Sequence, residues 1–381
     1  MKRLLTIGHS YVVAQNRRLA HEMARQGRDE WEVTAAAPVV LPGDLRRIHL
    51  EPIAGESCHL RSLGVRFASL PHVRRYDSAL RTLMRERWDV VHVWEEPYVC
   101  AGAQIVRLAP QSSCVIPATF QNIDKQYPPP FDYLERRSMR RAAAWIAFGQ
   151  TVHDALSRRP EYATKPSRII SPGVDTASFH PDPGRRACIR ADLRWTDGVP
   201  VVGFAGRFVD AKGVRVLVAA LERIRTPWRA LFVGGGPLEP DLRGFAARHR
   251  GRVAVKTNIP HGEIPAYLNA MDVLCVPSQT RTTWREQFGR VLIEAMASGV
   301  PIVASNSGEI PFVVGDAGMI VAEADVTAWA RALEAALAND QWRADSAVQG
   351  QARVAERFAL PVVARAHLAF FDQLMANRCA A

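Results

Sequence analysis

The chain has 381 residues, 48% of them hydrophobic, and a formal net charge of +11. This is more than one ordinary core absorbs and suits two domains of under about two hundred residues each, while ordinary Gly and Pro usage excludes collagen-like, low-complexity and repeat architectures. The basic excess fits phosphorylated ligands, anionic lipid or nucleic acid, and Arg-rich composition alone also produces it.

The opening MKRLLTIGHS has a basic pair and only a few apolar residues before His9. That is too short for a secretory apolar segment or a membrane span, so a cytoplasmic chain is expected. Short β-branched runs then alternate with amphipathic stretches. Strands are predicted at 4–8, 32–37, 89–94, 115–120 and 145–148, with a helix over 17–26. A helix predicted from Tyr133 carries Arg136, Arg137, Arg140 and Arg141 at i, i+4 spacing, and Arg74, Arg75, Arg81 and Arg85 form a second basic group. Residues 171–182, SPGVDTASFHPD, followed by the charged stretch 183–190, have the Pro and Gly density of a linker.

After Pro200 the pattern restarts, with strands predicted at 201–205, 230–233, 253–255, 273–276, 301–304 and 319–321. Residues 361–375 close the chain with helical apolar spacing. Strand–helix alternation of this kind predicts two parallel, doubly wound sheets, and ligands of such sheets lie beyond the carboxyl ends of the strands. Six cysteines are scattered without a C-x-x-C pair, which reads as reduced structural thiol and gives no zinc site.

The most informative segment is EQFGRVLIEAMASG at 286–299. A helix starting near Gly289 would offer free N–H groups and a positive dipole end to a diphosphate. Glu294 then lies roughly 7–8 Å along the axis at about 1.5 Å per residue, a reach suited to the hydroxyls of a ribose. Glu286, in the preceding loop, would meet a different part of the ligand. Two ordinary surface carboxylates would be the reading of E-x7-E in isolation; the flanking residues argue otherwise. No D-x-D occurs to hold Mg²⁺ or Mn²⁺, and no G-x-G-x-x-G follows a strand, which removes the dinucleotide fingerprint of an oxidoreductase.

The run E-x-F-G-x4-E-A-M-A-x-G-x-P, with Glu286, Phe288, Gly289, Glu294, Ala295, Met296, Gly299 and Pro301 in place, resembles the signature of the family-four retaining glycosyltransferases. The resemblance extends to GRFVDAKG at 206–213, VGGGP at 233–237, DVLCVPS at 272–278, SGEIPFVVGDAG at 307–318 and the SPGVDTASF segment. It implies a GT-B fold: two facing Rossmann-like, doubly wound α/β domains with an interdomain cleft. An acceptor-side domain would span 1–175, with the helix 361–381 packing back on it, and a donor-binding domain 176–360. The implied reaction is retaining, metal-independent transfer of a sugar from a UDP- or GDP-sugar. Arg207 and Lys212 would clasp the diphosphate and act with Glu286 in catalysis, while Glu294, Phe288, Gly289, Arg290 and Gly8 would bind the donor. No cofactor is implied.

In the first domain, DVVHVWEEP at 89–97 resembles the family's D-V-V-H strand, with His92 a core residue and Glu95 and Glu96 past the strand end. Many relatives end the next strand with a histidine, where this chain reads ATFQN. Gln121, Asn122 and Lys125, with Glu95 and Glu96, are therefore the acceptor-side candidates. The Arg-rich faces would suit peripheral contact with anionic membrane, beside the reading of a solvated basic face. Aromatic platforms and groove-reading modules are lacking, so nucleic acid is not an expected partner. A nucleotide-sugar-binding protein without turnover and a sugar-nucleotide epimerase remain as alternatives on the same architecture.

Overall fold

The computed structural model describes residues 1–43 and 47–380. Two compact units make up the chain, Met1–Gly173 with Leu360–Ala381, and Val174–Ala359. Ala381, the last residue of the expected closing helix, and the side chain of Cys379 lie outside the described residues.

The first unit is built on seven strands: β1 (Lys2–Ile7), β2 (Trp31–Pro38), β3 (His59–Leu63), β4 (Val90–Val93), β5 (Cys114–Thr119), β6 (Trp145–Ala147) and β7 (Ser167–Ile169). Their order is β7-β6-β5-β4-β1-β2-β3 and every pairing is parallel. Leu4, Leu5 and Ile7 of β1 and Val90, Val91 and Val93 of β4 are all fully buried, as a sheet covered on both faces requires. One face carries the helix Ala14–Gln26 and the closing helix Leu360–Ala380, whose Leu368, Phe371 and Leu374 share a core with Leu19, Met23 and Trp31. On the other face Leu80, Leu83, Trp88 and Ile105 form a second core. The chain runs outward from β1 to β3, then returns to the opposite side of β1, so the strand order reverses between β1 and β4.

The second unit repeats this plan with β8 (Val201–Arg207), β9 (Arg229–Gly235), β10 (Val253–Lys256), β11 (Val273–Val276), β12 (Ile302–Ser305) and β13 (Gly318–Val321). Its order is β10-β9-β8-β11-β12-β13, again all parallel, and the reversal falls between β8 and β11. Phe204, Phe208, Leu217, Phe232, Phe245 and Trp329 lie in its main core.

The charged stretch at 183–190, read above as part of a linker, is instead a helix, Pro183–Asp192. Proline at its first turn and the Asp182 carboxylate, which accepts from Arg185 N at 2.9 Å, explain the start. The helix buries no residue of its own; Arg186 and Arg190 pin it to Asp272, with Arg186 Nη2 at 2.6 Å. Burial works against a charged Asp272, but the two guanidinium groups outweigh it and hold the carboxyl below its ordinary value. In the first unit Arg136, Arg137 and Arg140 are exposed on the helix Phe131–Arg141, whereas Arg141 donates to Pro110 O. Arg74 is buried beside Glu95, and so does not belong to the exposed basic group proposed for it. Among the described residues no helix is long and apolar enough to cross a membrane.

Candidate functional site

In an open parallel sheet the loops leaving adjacent strands part company where the strand order reverses, which opens a crevice at the carboxyl ends. In the second unit those loops follow β8 and β11. Arg207 ends β8 and the loop after it carries Lys212; the β11 loop carries Ser278. Gly213 brings them together: its φ is 69°, and a Cβ there would lie 1.7 Å from Pro277 O. Gln279 N donates to Ala211 O at 2.8 Å and locks the approach.

Glu286 reaches into this junction. It is 5% exposed, and its Oε2 accepts from Lys212 Nζ at 2.6 Å and from Ser278 Oγ at 2.7 Å. The Lys212 ammonium also lies 5.1 Å from the centre of the Trp284 ring. Gly308 fixes the other side of the loop, since a Cβ at that residue (φ 54°) would meet Glu286 O at 2.0 Å. Ser278 went unnoticed in the sequence, where nothing distinguishes one serine after a strand from another.

The helix Arg290–Ala297 opens at Gly289, whose φ of 79° and ψ of 63° place it in the left-handed region. No side chain caps this end. Glu294 is 7% exposed, and its carboxylate has no hydrogen bond or ion pair with any described residue. A buried carboxylate in that condition is costly unless a ligand's donors satisfy it. Arg290 is half-buried at the helix start, and Arg207 is exposed at the end of β8 without an ion pair among the described residues. Phe288, taken above as donor-binding, is 3% exposed and packs edge-on to Phe358 at 5.9 Å. Its ring anchors the loop in the core, and it offers no face to a ligand.

In the first unit Gly8 closes the end of β1 against β4, because a Cβ there would lie 2.8 Å from Trp94 Cβ and Trp94 O. Its close approach is thus to Trp94, where donor contact had been expected. Glu95 is 2% exposed and fully engaged: Oε1 accepts from His9 N (2.8 Å) and Tyr76 Oη (2.7 Å), and Oε2 faces His9 Nδ1 (2.7 Å). Both oxygens are committed within the protein, which removes Glu95 from the acceptor-binding candidates. Glu96 accepts from Thr119 Oγ1 at 2.6 Å and Phe120 N at 2.8 Å. Loss of surrounding water nonetheless raises it to about 7. Gln121 is buried, donating to Glu135 at 3.1 Å while its Oε1 has no partner. Asn122 is buried as well, and Lys125 is half-buried with its carbonyl held by Arg159. His92 is a core histidine, fully buried with Nδ1 3.0 Å from Thr6 Oγ1.

Substitution of the glycine that joins the two loops provides a direct check on the second-unit site. Gly213→Ala places a methyl group inside the contact distance of a carbonyl and holds alanine in the left-handed region. We expect a loss of about 3 kcal/mol, a fall in Tm of roughly 6–12 °C at about 2–4 °C per kcal/mol. A melting curve within a degree of the unsubstituted chain would mean that the two loops are not held as described.

Residues 12–178 match the family model described as Glycosyltransferase Family 4, and residues 199–339 that of Glycosyl transferases group 1. The D-inositol 3-phosphate glycosyltransferase of Xylanimonas cellulosilytica is 35% identical over 222 residues, covering 55% of this chain and 52% of that protein. The GDP-mannose-dependent alpha-(1-6)-phosphatidylinositol monomannoside mannosyltransferase of Mycolicibacterium smegmatis is 38% identical over 194 residues, covering 48% and 50%. The chain thus spans about half the length of these relatives. Among solved structures, sucrose-phosphate synthase from Thermosynechococcus elongatus superposes with a TM-score of 0.74 at 21% identity, covering 99% of this chain and 100% of that one. Anabaena Alr3699/HepE in complex with UDP and glucose gives 0.75 at 19% identity, covering 98% and 100%. These likenesses establish the GT-B fold for the two doubly wound units. With one family domain matched in each unit, the chain belongs to the family-four, group 1 glycosyltransferases.

Proposed function

We propose that the chain transfers a sugar from a nucleoside-diphosphate donor to a hydroxyl acceptor, with retention of configuration and without a metal or other cofactor. The observation that carries this reading is Glu294: a buried carboxylate with no partner among the described residues, four residues into a helix whose uncapped start is available to an anion. Its place is to accept the two ribose hydroxyls while the Gly289–Arg290 end takes the diphosphate. Arg207 and Lys212 supply positive charge where the leaving diphosphate gains negative charge, the interaction that most lowers such a barrier. Glu286, tied to Lys212 and Ser278, is fixed in one orientation and takes the hydroxyls of the transferred sugar.

The Mycolicibacterium relative is named for GDP-mannose and the Anabaena structure holds UDP, so both bases belong in a first trial. The relatives' names also supply the acceptors to try, D-inositol 3-phosphate and phosphatidylinositol monomannoside. On the first unit Glu96, Gln121, Asn122 and Lys125 remain the acceptor candidates. The exposed Arg136, Arg137 and Arg140 would serve a lipid-linked acceptor by resting on anionic headgroups at the cytoplasmic face of a membrane. The product then enters cell-envelope polysaccharide, glycolipid or small glycoside synthesis.

A panel of UDP- and GDP-sugars, read for nucleotide release with and without acceptor and for the anomer formed, tests the reading. Binding without release would leave a nucleotide-sugar-binding protein, and a changed sugar on an intact nucleotide would make it an epimerase. Since the chain lacks D-x-D and carries Arg207 and Lys212 instead, EDTA is expected to leave the rate unaltered. Complete loss, restored by Mn²⁺, would refute metal independence.

A further inference from the structure

Within the second unit, the chain between β11 and the helix Arg290–Ala297 leaves the Lys212 junction and returns to it. Ser278 Oγ donates to Glu286 Oε2 at 2.7 Å, which closes residues 278–286 into a loop with its base at that junction. Arg281 and Trp284 exchange backbone hydrogen bonds of 2.6 and 3.3 Å, so the tip is a tight hairpin. Thr280 anchors the outgoing arm: its Oγ1 donates to Glu323 Oε1 at 2.6 Å and lies 3.0 Å from Ser307 Oγ. What this stiff loop delivers is the half-buried Trp284 ring, its centre 5.1 Å from Lys212 Nζ. That is inside the reach of about 6 Å over which an aromatic face attracts an ammonium.

Lysine is a point charge on a long flexible stem, and its ammonium has three donors to place. Glu286 takes one side of Lys212 at 2.6 Å and the Trp284 ring takes another, while the side chain, 21% exposed, has no other hydrogen bond or ion pair with a described residue. Two fixed neighbours leave the ammonium little freedom, and its remaining side is open to a ligand. The two neighbours are not equivalent. A carboxylate cancels the charge of the lysine, so a second acid in place of the ring would turn the spot negative and repel a diphosphate. An aromatic face attracts the cation through its quadrupole and adds no formal charge.

We propose that Trp284 is a positioning residue for Lys212, its ring holding the ammonium in place for the phosphates of the nucleotide. This rests on the transfer reading, which makes Lys212 a ligand of the diphosphate. A cation already in place has no reorganisation to undergo when the phosphates arrive or gain charge. Free UDP and GDP carry the charge of the leaving group, so their affinity reports how well the ammonium is held. Uridine and guanosine, which lack the phosphates, are indifferent to it.

The test uses the full-length chain as wild type, Trp284→Phe and Trp284→Leu, each also combined with Lys212→Met. UDP, uridine, GDP and guanosine are titrated calorimetrically, and the ratio of diphosphate to nucleoside affinity is read. A general disturbance of the loop weakens nucleoside and diphosphate alike, whereas a misplaced ammonium moves the ratio. Trp284→Leu should lower the ratio about 2–30-fold, and Trp284→Phe, which keeps a ring, should recover most of that loss. With Lys212→Met present, Trp284→Leu should leave the ratio where it was. Trp284→Met serves as the non-aromatic variant should Trp284→Leu not fold, and failure of both to fold would show a purely structural role and overturn the proposal. So would an unchanged ratio in Trp284→Leu, a Trp284→Phe ratio no better than that of Trp284→Leu, or an equal loss with Lys212 already replaced. A wild type that binds UDP and GDP no better than uridine and guanosine overturns the diphosphate reading itself, and the role of Trp284 falls with it.

Discussion

Lys212→Ala should lower turnover a few hundred-fold and lower the melting temperature as well, whereas Arg207→Ala should do only the first. On the proposed function each change removes a cation from the leaving diphosphate, an interaction worth about 3–4 kcal/mol in the transition state. The structural consequences differ. Arg207 is exposed and without an ion pair among the described residues, so its loss disturbs nothing at rest. Lys212 sits 2.6 Å from the buried Glu286 carboxylate, and its removal takes the salt-bridging ammonium from a buried charge. The Ser278 hydroxyl cannot neutralise it, and roughly 1–3 kcal/mol of stability should go with the ammonium. Initial rates and thermal melts of both variants check this. Full activity in either would end the diphosphate assignment, and an unchanged melt for Lys212→Ala would mean that the buried pair contributes nothing.

The two glutamates should fail in opposite ways. On the proposed function Glu294→Gln weakens ribose-hydroxyl contacts made equally in the ground and transition states, so KM should rise and free nucleotide should bind about 10–100-fold more weakly, with a smaller change in kcat. For Glu286→Gln kcat should fall about 10²-fold or more, while affinity for free UDP or GDP stays close to wild type, because the sugar rather than the nucleotide loses its contact. Part of that fall comes through Lys212, whose counter-ion disappears. A Lys212→Met, Glu286→Gln double variant should therefore lose much less than the sum of the single losses. Calorimetric titration with nucleoside diphosphate beside steady-state rates decides the division: equal loss of nucleotide affinity in both single variants would show it to be wrong.

The fold was legible wherever burial on both faces demands an unbroken apolar run. Val273–Val276 begins and ends where the pattern places it, and most other central strands differ by a residue or two at their ends. The edge strands of the first sheet escaped notice for the complementary reason. In His59–Leu63 only Leu63 is buried, and Ser167–Ile169 has no buried residue, so neither carries an apolar signal. Pro183–Asp192 looked like a linker because its stabilising partner, Asp272, is remote in sequence and acts through charge.

The site divides in the same way. The start of the helix at Arg290 and the place of Glu294 within it follow from local spacing and a glycine. The Lys212–Glu286 contact joins residues 74 apart and the His9–Glu95 contact residues 86 apart, and nothing local to either partner announces them. Taken singly, Glu95 looked like an acidic residue past a strand end, available to a ligand. Only the folded chain shows that His9 already occupies it.

The closing helix has a consequence for how the protein is made. Its Val363, Leu368, Phe371 and Leu374 complete the apolar core around Trp31 and Met23, with Trp31 and Phe371 ring to ring at 6.2 Å. During synthesis the strands of the first unit emerge early, but the helix that covers one face follows only after the whole of Val174–Ala359 has been translated. At roughly 5–20 residues per second that interval is of the order of ten to forty seconds. The second unit, continuous in sequence, is free to fold during the wait, while the part of the first unit's sheet and early helix that the closing helix covers stays bare, a natural client for a chaperone that shields apolar surface until that helix emerges.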